Sequence, residues 1–304
     1  MTNTEFYESL KDEVAKILQE QNENVELTLQ EVVKANSTVY QSLVIRSEIN
    51  IAPVIYLDDY HNRYEKGEMS VQECAELIVK LYNNSSCDID FDISSITDFE
   101  KVKGRITVSI YNTEKNAEKL FEMPHREIED LSIYYRIDIP MRDKGMGSVV
   151  VSNQILSMWN KTVEEIDEIA WQNMKRINPP QFANMSEIIG EMIGEDVEDL
   201  GEICVDSHMY ILSCRSRMNG AVYIADEKEL SLICERLDDD LCILPSSRHE
   251  IIILPVSTVT KDEGYSHLKK MVCEVNATQV SEEDFLSDSV YIFERATKII
   301  KVVA

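Results

Sequence analysis

The stretch Leu241-Cys242-Ile243-Leu244-Pro245-Ser246-Ser247-Arg248-His249-Glu250-Ile251-Ile252-Ile253-Leu254-Pro255 sets two apolar runs on either side of a polar cluster. Both runs are short, rich in Ile and Leu, and stopped by a proline, which suits a strand better than a helix. Strands this close in sequence pair antiparallel, because parallel neighbours need a crossover of a dozen residues or more. Outward from this hairpin the pattern continues. A helix over 226–237 precedes it, with a strand at 209–213, a turn at Asn219-Gly220 and a strand at 221–224 before that. Downstream, a helix over 261–272 leads to a closing hairpin of 290–293 with 299–303. Hairpins alternating with helices predict an antiparallel sheet carrying helices on one face.

The N-terminal part repeats the theme with different pieces. Phe6, Leu10, Val14, Ile17 and Leu18 recur at helical spacing, so 4–21 is expected as a helix capped by Thr4. Alternating residues from Val25 to Leu29, and a second run over 39–45, predict a hairpin. An extended run over 51–57 then passes into a turn of helix closed by Gly67. Ser70 with Glu73 has the capping-box spacing for a helix reaching about residue 82. Short helices and strands alternate over 97–151, with strands at 105–111, 131–139 and 149–151, and Gly145-Met146-Gly147 is expected as a loop. A helix opened by Thr162 and Glu165 ends at Asn178-Pro179-Pro180. An acidic amphipathic helix is expected over 187–206. The fold class expected is α+β: two mixed halves with largely antiparallel sheets, 1–155 and 204–304, joined by a helical connection over 156–203.

Composition narrows the function classes. The chain has 304 residues, 44% of them hydrophobic, enough for a large core. It has 56 acidic against 30 basic residues, a net charge of −26 that repels nucleic-acid phosphates and anionic membranes. Direct nucleic-acid binding and membrane attachment are therefore not expected. No apolar run is long enough to span a bilayer, and the N-terminus lacks the regions of a secretion signal, so a cytoplasmic protein is the expectation. The seven cysteines are dispersed in apolar patterns and read as reduced buried thiols. Neither they nor the five histidines form a metal-ligand spacing, and Asp196, Glu198 and Asp199 lack a calcium-loop pattern. No glycine-rich strand-to-helix turn is present to cradle a nucleotide, so no metal or cofactor is implied.

Polar residues beside strands are the candidates for a site. Ser246, Ser247, Arg248, His249 and Glu250 lie in the hairpin turn. If that segment is extended, Ser247 and His249 share one side and Ser246, Arg248 and Glu250 the other. A hydrolase built on Ser247 and His249 would still need a third group and an oxyanion hole, and the Gly-x-Ser-x-Gly elbow is missing. The alternative is a tight turn whose hydroxyls cap backbone groups and whose Arg248 and Glu250 pair at the rim. Tyr56, Asp58 and Tyr60 could line a groove or simply pack on the core. Asn276, Thr278 and Asp288 are polar residues expected next to strands. The functional expectation is binding of a protein or small ligand without catalysis. An acidic mimic or inhibitor of a nucleic-acid-binding protein is an alternative, and the Ser247/His249 hydrolase another.

Several segments, read in order, carry a resemblance. They are Ile51-Ala52-Pro53-Val54-Ile55-Tyr56-Leu57 with Tyr60, Asp98-Phe99-Glu100-Lys101-Val102-Lys103, and Leu244-Pro245-Ser246-Ser247-Arg248-His249-Glu250. The last are Glu274-Val275-Asn276-Ala277-Thr278-Gln279-Val280 and Leu286-Ser287-Asp288. Over most of its length the chain resembles an uncharacterised bacterial family, the domain of unknown function DUF5688, seen in anaerobic Gram-positive gut bacteria. The resemblance implies a cytoplasmic protein and supplies no activity.

Overall fold

The computed structural model describes residues 2–21, 23–46, 54–84, 93–141, 145–193, 208–245, 247–259 and 264–304. Its contacts divide the chain into two compact units, residues 1–90 with 141–145 and residues 91–140 with 146–304. Their limits differ from the sequence-based borders at 155 and 203. The strands over 106–141 share a core with the C-terminal sheet, a long-range packing that no local pattern announces.

In the first unit, α1 (Asn3–Glu20) is capped by Thr2, not Thr4: the Thr2 hydroxyl accepts from the Glu5 N–H, and Glu5 reaches back to the Thr2 N–H. Such a box is worth about 1 kcal/mol. Phe6, Leu10, Val14 and Leu18 form its buried face, each stabilising by roughly 1.5–3 kcal/mol relative to exposure. That face packs on a sheet of β1 (Glu26–Val33), β2 (Val39–Arg46) and β3 (Val54–Tyr56), all antiparallel. The helices α2 (Asp58–Glu65) and α3 (Val71–Asn84) complete this core. Ser70 and Glu73 form the expected capping box at the start of α3.

The second unit opens with α4 (Phe99–Val102), β4 (Ile106–Asn112) and α5 (Ala117–Phe121). Then come β5 (His125–Ile128), β6 (Leu131–Met141) and β7 (Gly145–Val150). Strand β6 pairs with β4, β5 and β7. Gly145-Met146-Gly147 thus begins a strand instead of a loop; a strand partner overrides glycine's weak β preference. Next are α6 (Asn153–Trp159) and α7 (Val163–Ile177), the latter with the expected Thr162–Glu165 capping box. The chain continues through β8 (Pro180–Asn184), α8 (Met185–Ile193), β9 (Tyr210–Cys214), α9 (Glu227–Leu237), β10 (Leu241–Leu244) and β11 (Ile251–Pro255). It closes with α10 (Gly264–Gln279), β12 (Tyr291–Glu294) and β13 (Ile299–Val302).

The opening stretch is the antiparallel β10–β11 hairpin, with Leu241 opposite Pro255 and Leu244 opposite Ile252. It lies at the centre of a six-stranded antiparallel sheet of order β13-β12-β10-β11-β9-β8. Alternation sends Leu241, Ile243, Ile251 and Ile253 into one core with α9 residues Leu230 and Ile233. It sends Cys242, Leu244 and Leu254 into another with Val272 of α10. Helices therefore cover both sheet faces, and the fold class is α+β as expected. Residues 220–225 form a 3-10 turn instead of a strand. Their β-branched and aromatic side chains suit a strand, but Gly220 to Ile224 are all buried under the sheet, and that packing outweighs propensity. Strand β8 follows directly on the two prolines read as a stop. Pro180 has no N–H to donate, which its place at the start of an edge strand tolerates. Helix α10 begins later and runs further than the helix expected at 261–272. The acidic helix is described as α8, and its continuation over 194–206 lies outside the described residues.

Candidate functional site

The polar residues after β10 are held by a knot of hydrogen bonds. The Ser247 hydroxyl accepts from the His249 backbone N–H at 3.1 Å. The Arg248 N–H donates to the Asp284 carbonyl at 2.9 Å, and the Gly220 and Ala221 N–H groups donate to the carbonyls of His249 and Arg248. The Ser213 hydroxyl also donates to the His249 carbonyl, at 2.8 Å. Three pieces of chain distant in sequence, 213–221, 247–249 and 281–284, are thereby fastened together.

The side chains follow suit. His249 Nδ1 lies 3.2 Å from the Asn219 backbone N–H, which can only donate, so Nδ1 accepts and Nε2 carries the proton. Nε2–H then donates to Asp284 Oδ1 at 3.1 Å. Arg248 Nε donates to the same oxygen at 2.8 Å, with Glu283 3.5 Å from its Nη2. Ser281 donates to Asp284 Oδ2 at 2.8 Å. Burial pushes the Asp284 carboxyl up, but the hydrogen bond from the Ser281 hydroxyl and the charge and hydrogen bond of the Arg248 guanidinium outweigh it, holding the carboxyl below its ordinary value. Arg248 therefore pairs with Glu283 and Asp284, not with Glu250. Both ring nitrogens of His249 are engaged away from the Ser247 hydroxyl, and nucleophile and base are not hydrogen-bonded. Ser246 lies outside the described residues.

Glu250 stands apart from its neighbours. It lines a groove of about 480 Å³ with Gln181, Phe182 and Ala183 of β8, Glu187 and Ile188 of α8, Ile211 and Ser213 of β9, and Arg217. The Glu187 carboxylate is engaged, accepting from the Asn184 N–H at 3.3 Å. Ser213 has its proton committed to His249. Among the described residues, the side chains of Arg217 and Glu250 have no hydrogen bond or ion pair. The Arg217 backbone is held at φ 55, in the left-handed region that costs a non-glycine residue roughly 1 kcal/mol or more. Arg217 and the β8 lining were not singled out from the sequence, because only the sheet order brings them to Glu250.

The other candidates occupy structural positions. Tyr56 is on the outer face of its sheet, 36% exposed, with Lys34 Nζ 4.4 Å from the ring centre. Tyr60 packs at the edge of the first core, where burial and then Asp59 push its phenol up. The two tyrosines thus do not share a groove wall. Asp58 accepts from the Gln41 N–H at 3.1 Å, tying α2 to β2. Asn276 and Thr278 lie on α10 and do not flank a strand. The Asn276 amide donates to the Ser287 carbonyl and to Asp288, both at 2.9 Å, and Thr278 donates to the Glu274 carbonyl one turn back. Among the described residues no group of His, Cys, Asp and Glu side chains could hold a metal ion, and no helix is long and apolar enough to cross a membrane.

The chain belongs to a family of unknown function, DUF5688, whose family model matches residues 3–295. No curated protein and no solved structure matches it.

Proposed function

We propose that this chain is a binding protein that works without catalysis, and that its ligand is a small molecule seated in the groove beside Glu250. The observation that carries this reading is a concave site of mixed polar and apolar lining in which two side chains of opposite charge, Arg217 and Glu250, have no partner among the described residues. Proteins commonly pair or solvate charges at such positions, whereas binding sites combine an apolar body with a few unsatisfied polar groups. A volume of about 480 Å³ is in the range of small-molecule sites. The neighbouring knot supplies rigidity, fixing the backbone on both sides of Glu250 and Arg217.

The protein acts in the bacterial cytoplasm in this reading, which is supported by unpaired cysteines in the core. Cys74, Cys214, Cys234 and Cys242 are free and buried. Burial pushes the Cys234 thiol up to about 11 and that of Cys242 up to about 12. Neither nucleic acid nor membrane is a partner in this reading, given the charge of −26. The Ser247/His249 hydrolase is not adopted, because the histidine ring faces Asp284 and Asn219.

The test is native mass spectrometry of the purified protein after exposure to a protein-free extract of its source cells. A bound species of small-molecule mass is expected on the natural protein and absent from Gln181→Trp, which fills the groove from an exposed position on β8. An adduct unaffected by that substitution, or no adduct at all, overturns the reading.

A further inference from the structure

The chemistry of the groove lip narrows the ligand, on the premise that the groove is the binding site. We propose that the groove takes a zwitterion with an apolar side chain, an apolar amino acid or a short apolar peptide, whose ammonium meets Glu250 and whose carboxylate meets Arg217.

The assignment comes from sorting the lining by what each group still has to offer. Of the two carboxylates, Glu187 already accepts from the Asn184 N–H, which leaves Glu250 as the acceptor for a ligand cation. Of the donors, the Ser213 hydroxyl is committed to the His249 carbonyl, so its oxygen offers lone pairs only. Arg217 is the one cation among the described lining residues, and its planar fork suits a carboxylate held bidentately. Ala183, Ile188 and Ile211 supply the apolar part of the lining.

A singly charged ligand would leave either Arg217 or Glu250 facing its apolar body, which desolvates a charge without a partner. A neutral apolar ligand would do so to both. An inorganic anion would satisfy Arg217, meet Glu250 with like charge and leave the apolar floor wet. The zwitterion is the class that matches both unpaired charges. The rigidity of the lip reinforces the match. Glu250 follows directly on the fastened His249, and Arg217 sits between β9 and the buried 220–225 turn, its N–H bonded to the Cys214 carbonyl. Little backbone ordering is left to be done on binding, so the ordering cost falls mainly on the Arg217 side chain.

Calorimetric titration with four probes tests this: L-leucine, the dipeptide leucyl-leucine, isoamylamine as the amine alone, and 4-methylpentanoate as the acid alone. One of the two zwitterions is expected to bind at least about tenfold more tightly than either singly charged probe, the scale of one charge-assisted hydrogen bond. Which zwitterion binds better distinguishes a free amino acid from a peptide. Glu250→Gln is expected to reduce zwitterion affinity to that of 4-methylpentanoate and leave that acid unaffected, and Arg217→Gln to give the mirror result with isoamylamine. Neither side chain is bonded to another described residue, so far-ultraviolet circular dichroism should be unchanged. A singly charged probe binding as tightly as the zwitterions overturns the assignment. So does the absence of zwitterion binding when an extract-derived adduct is still lost in Gln181→Trp, and in that case the groove reading stands. If Gln181→Trp alters no binding of any kind, both fall together.

Discussion

Two regions separated by a single peptide bond behave in opposite ways. At Ser247, Arg248 and His249, hydroxyl, guanidinium and imidazole are consumed by Asp284, Glu283, Asn219 and nearby backbone. At Glu250 the carboxylate meets no partner among the described residues and lines a groove. In sequence these residues form one polar cluster between two strands. In space the first three close a structural seam and the fourth lines a groove. Polar side chains buried during folding must be satisfied inside the protein. Those that remain unsatisfied at a concave surface are the ones available to a ligand. Residue type therefore locates such a cluster, and hydrogen-bond accounting divides it.

The largest expected effect breaks the seam from its most crowded point. A Cβ added at Gly220 would lie 2.6 Å from the Cys214 backbone nitrogen, 2.6 Å from Ser213 Oγ and 2.7 Å from the His249 carbonyl oxygen. Backbone would have to move, so Gly220→Ala should cost about 3 kcal/mol. Urea unfolding followed by tryptophan fluorescence reports on this unit, since Trp159 and Trp171 both pack against its core. An unchanged midpoint would show that the three segments are not held this closely.

Asp284→Asn comes next, at about 2 kcal/mol, because the carboxylate accepts charge-assisted bonds from Arg248 and, when it is charged, from His249. The sign of its pH dependence follows from the lowered carboxyl. A carboxyl depressed on folding contributes stability that is complete well above the ordinary value of about 3.9 and is lost as pH falls through the lower folded value. Acid titration of stability should therefore be less steep in Asp284→Asn than in the natural protein below about pH 4. Equal steepness would remove Asp284 from the account.

Ser247→Ala sharpens the comparison. Losing the acceptor for the His249 N–H should cost about 1 kcal/mol and leave ligand binding intact. Glu250→Gln should do the reverse, changing the unfolding free energy by less than about 0.5 kcal/mol while weakening the ligand about tenfold. If both substitutions moved stability alike, the division between seam and site would have no basis.

What could be read from the sequence was local. The capping boxes at Ser70/Glu73 and Thr162/Glu165, the buried stripe of α1 and the β10–β11 hairpin depend on residues within a turn or two of one another. The α+β class followed from them. What escaped was set at long range. Residues 220–225 look like a strand but fold as a 3-10 turn because the sheet buries them. Strand β8 hides behind prolines that read as a stop, and Gly145 joins a strand because β6 is there to pair with it. The site shows the same division. Ser247, His249 and Glu250 were visible as a polar cluster, but Asp284 lies 35 residues from His249 and no spacing rule links them. Arg217 reaches the groove only through the β8-β9-β11 order.

The central claim is that adjacent residues divide between holding the fold and holding the ligand. It is tested most directly by native mass spectrometry of Ser247→Ala and Glu250→Gln side by side with the natural protein, all exposed to the same protein-free extract. The account predicts that folded Ser247→Ala keeps the adduct and that Glu250→Gln, equally folded, loses it. An adduct kept by Glu250→Gln and lost by Ser247→Ala would contradict it.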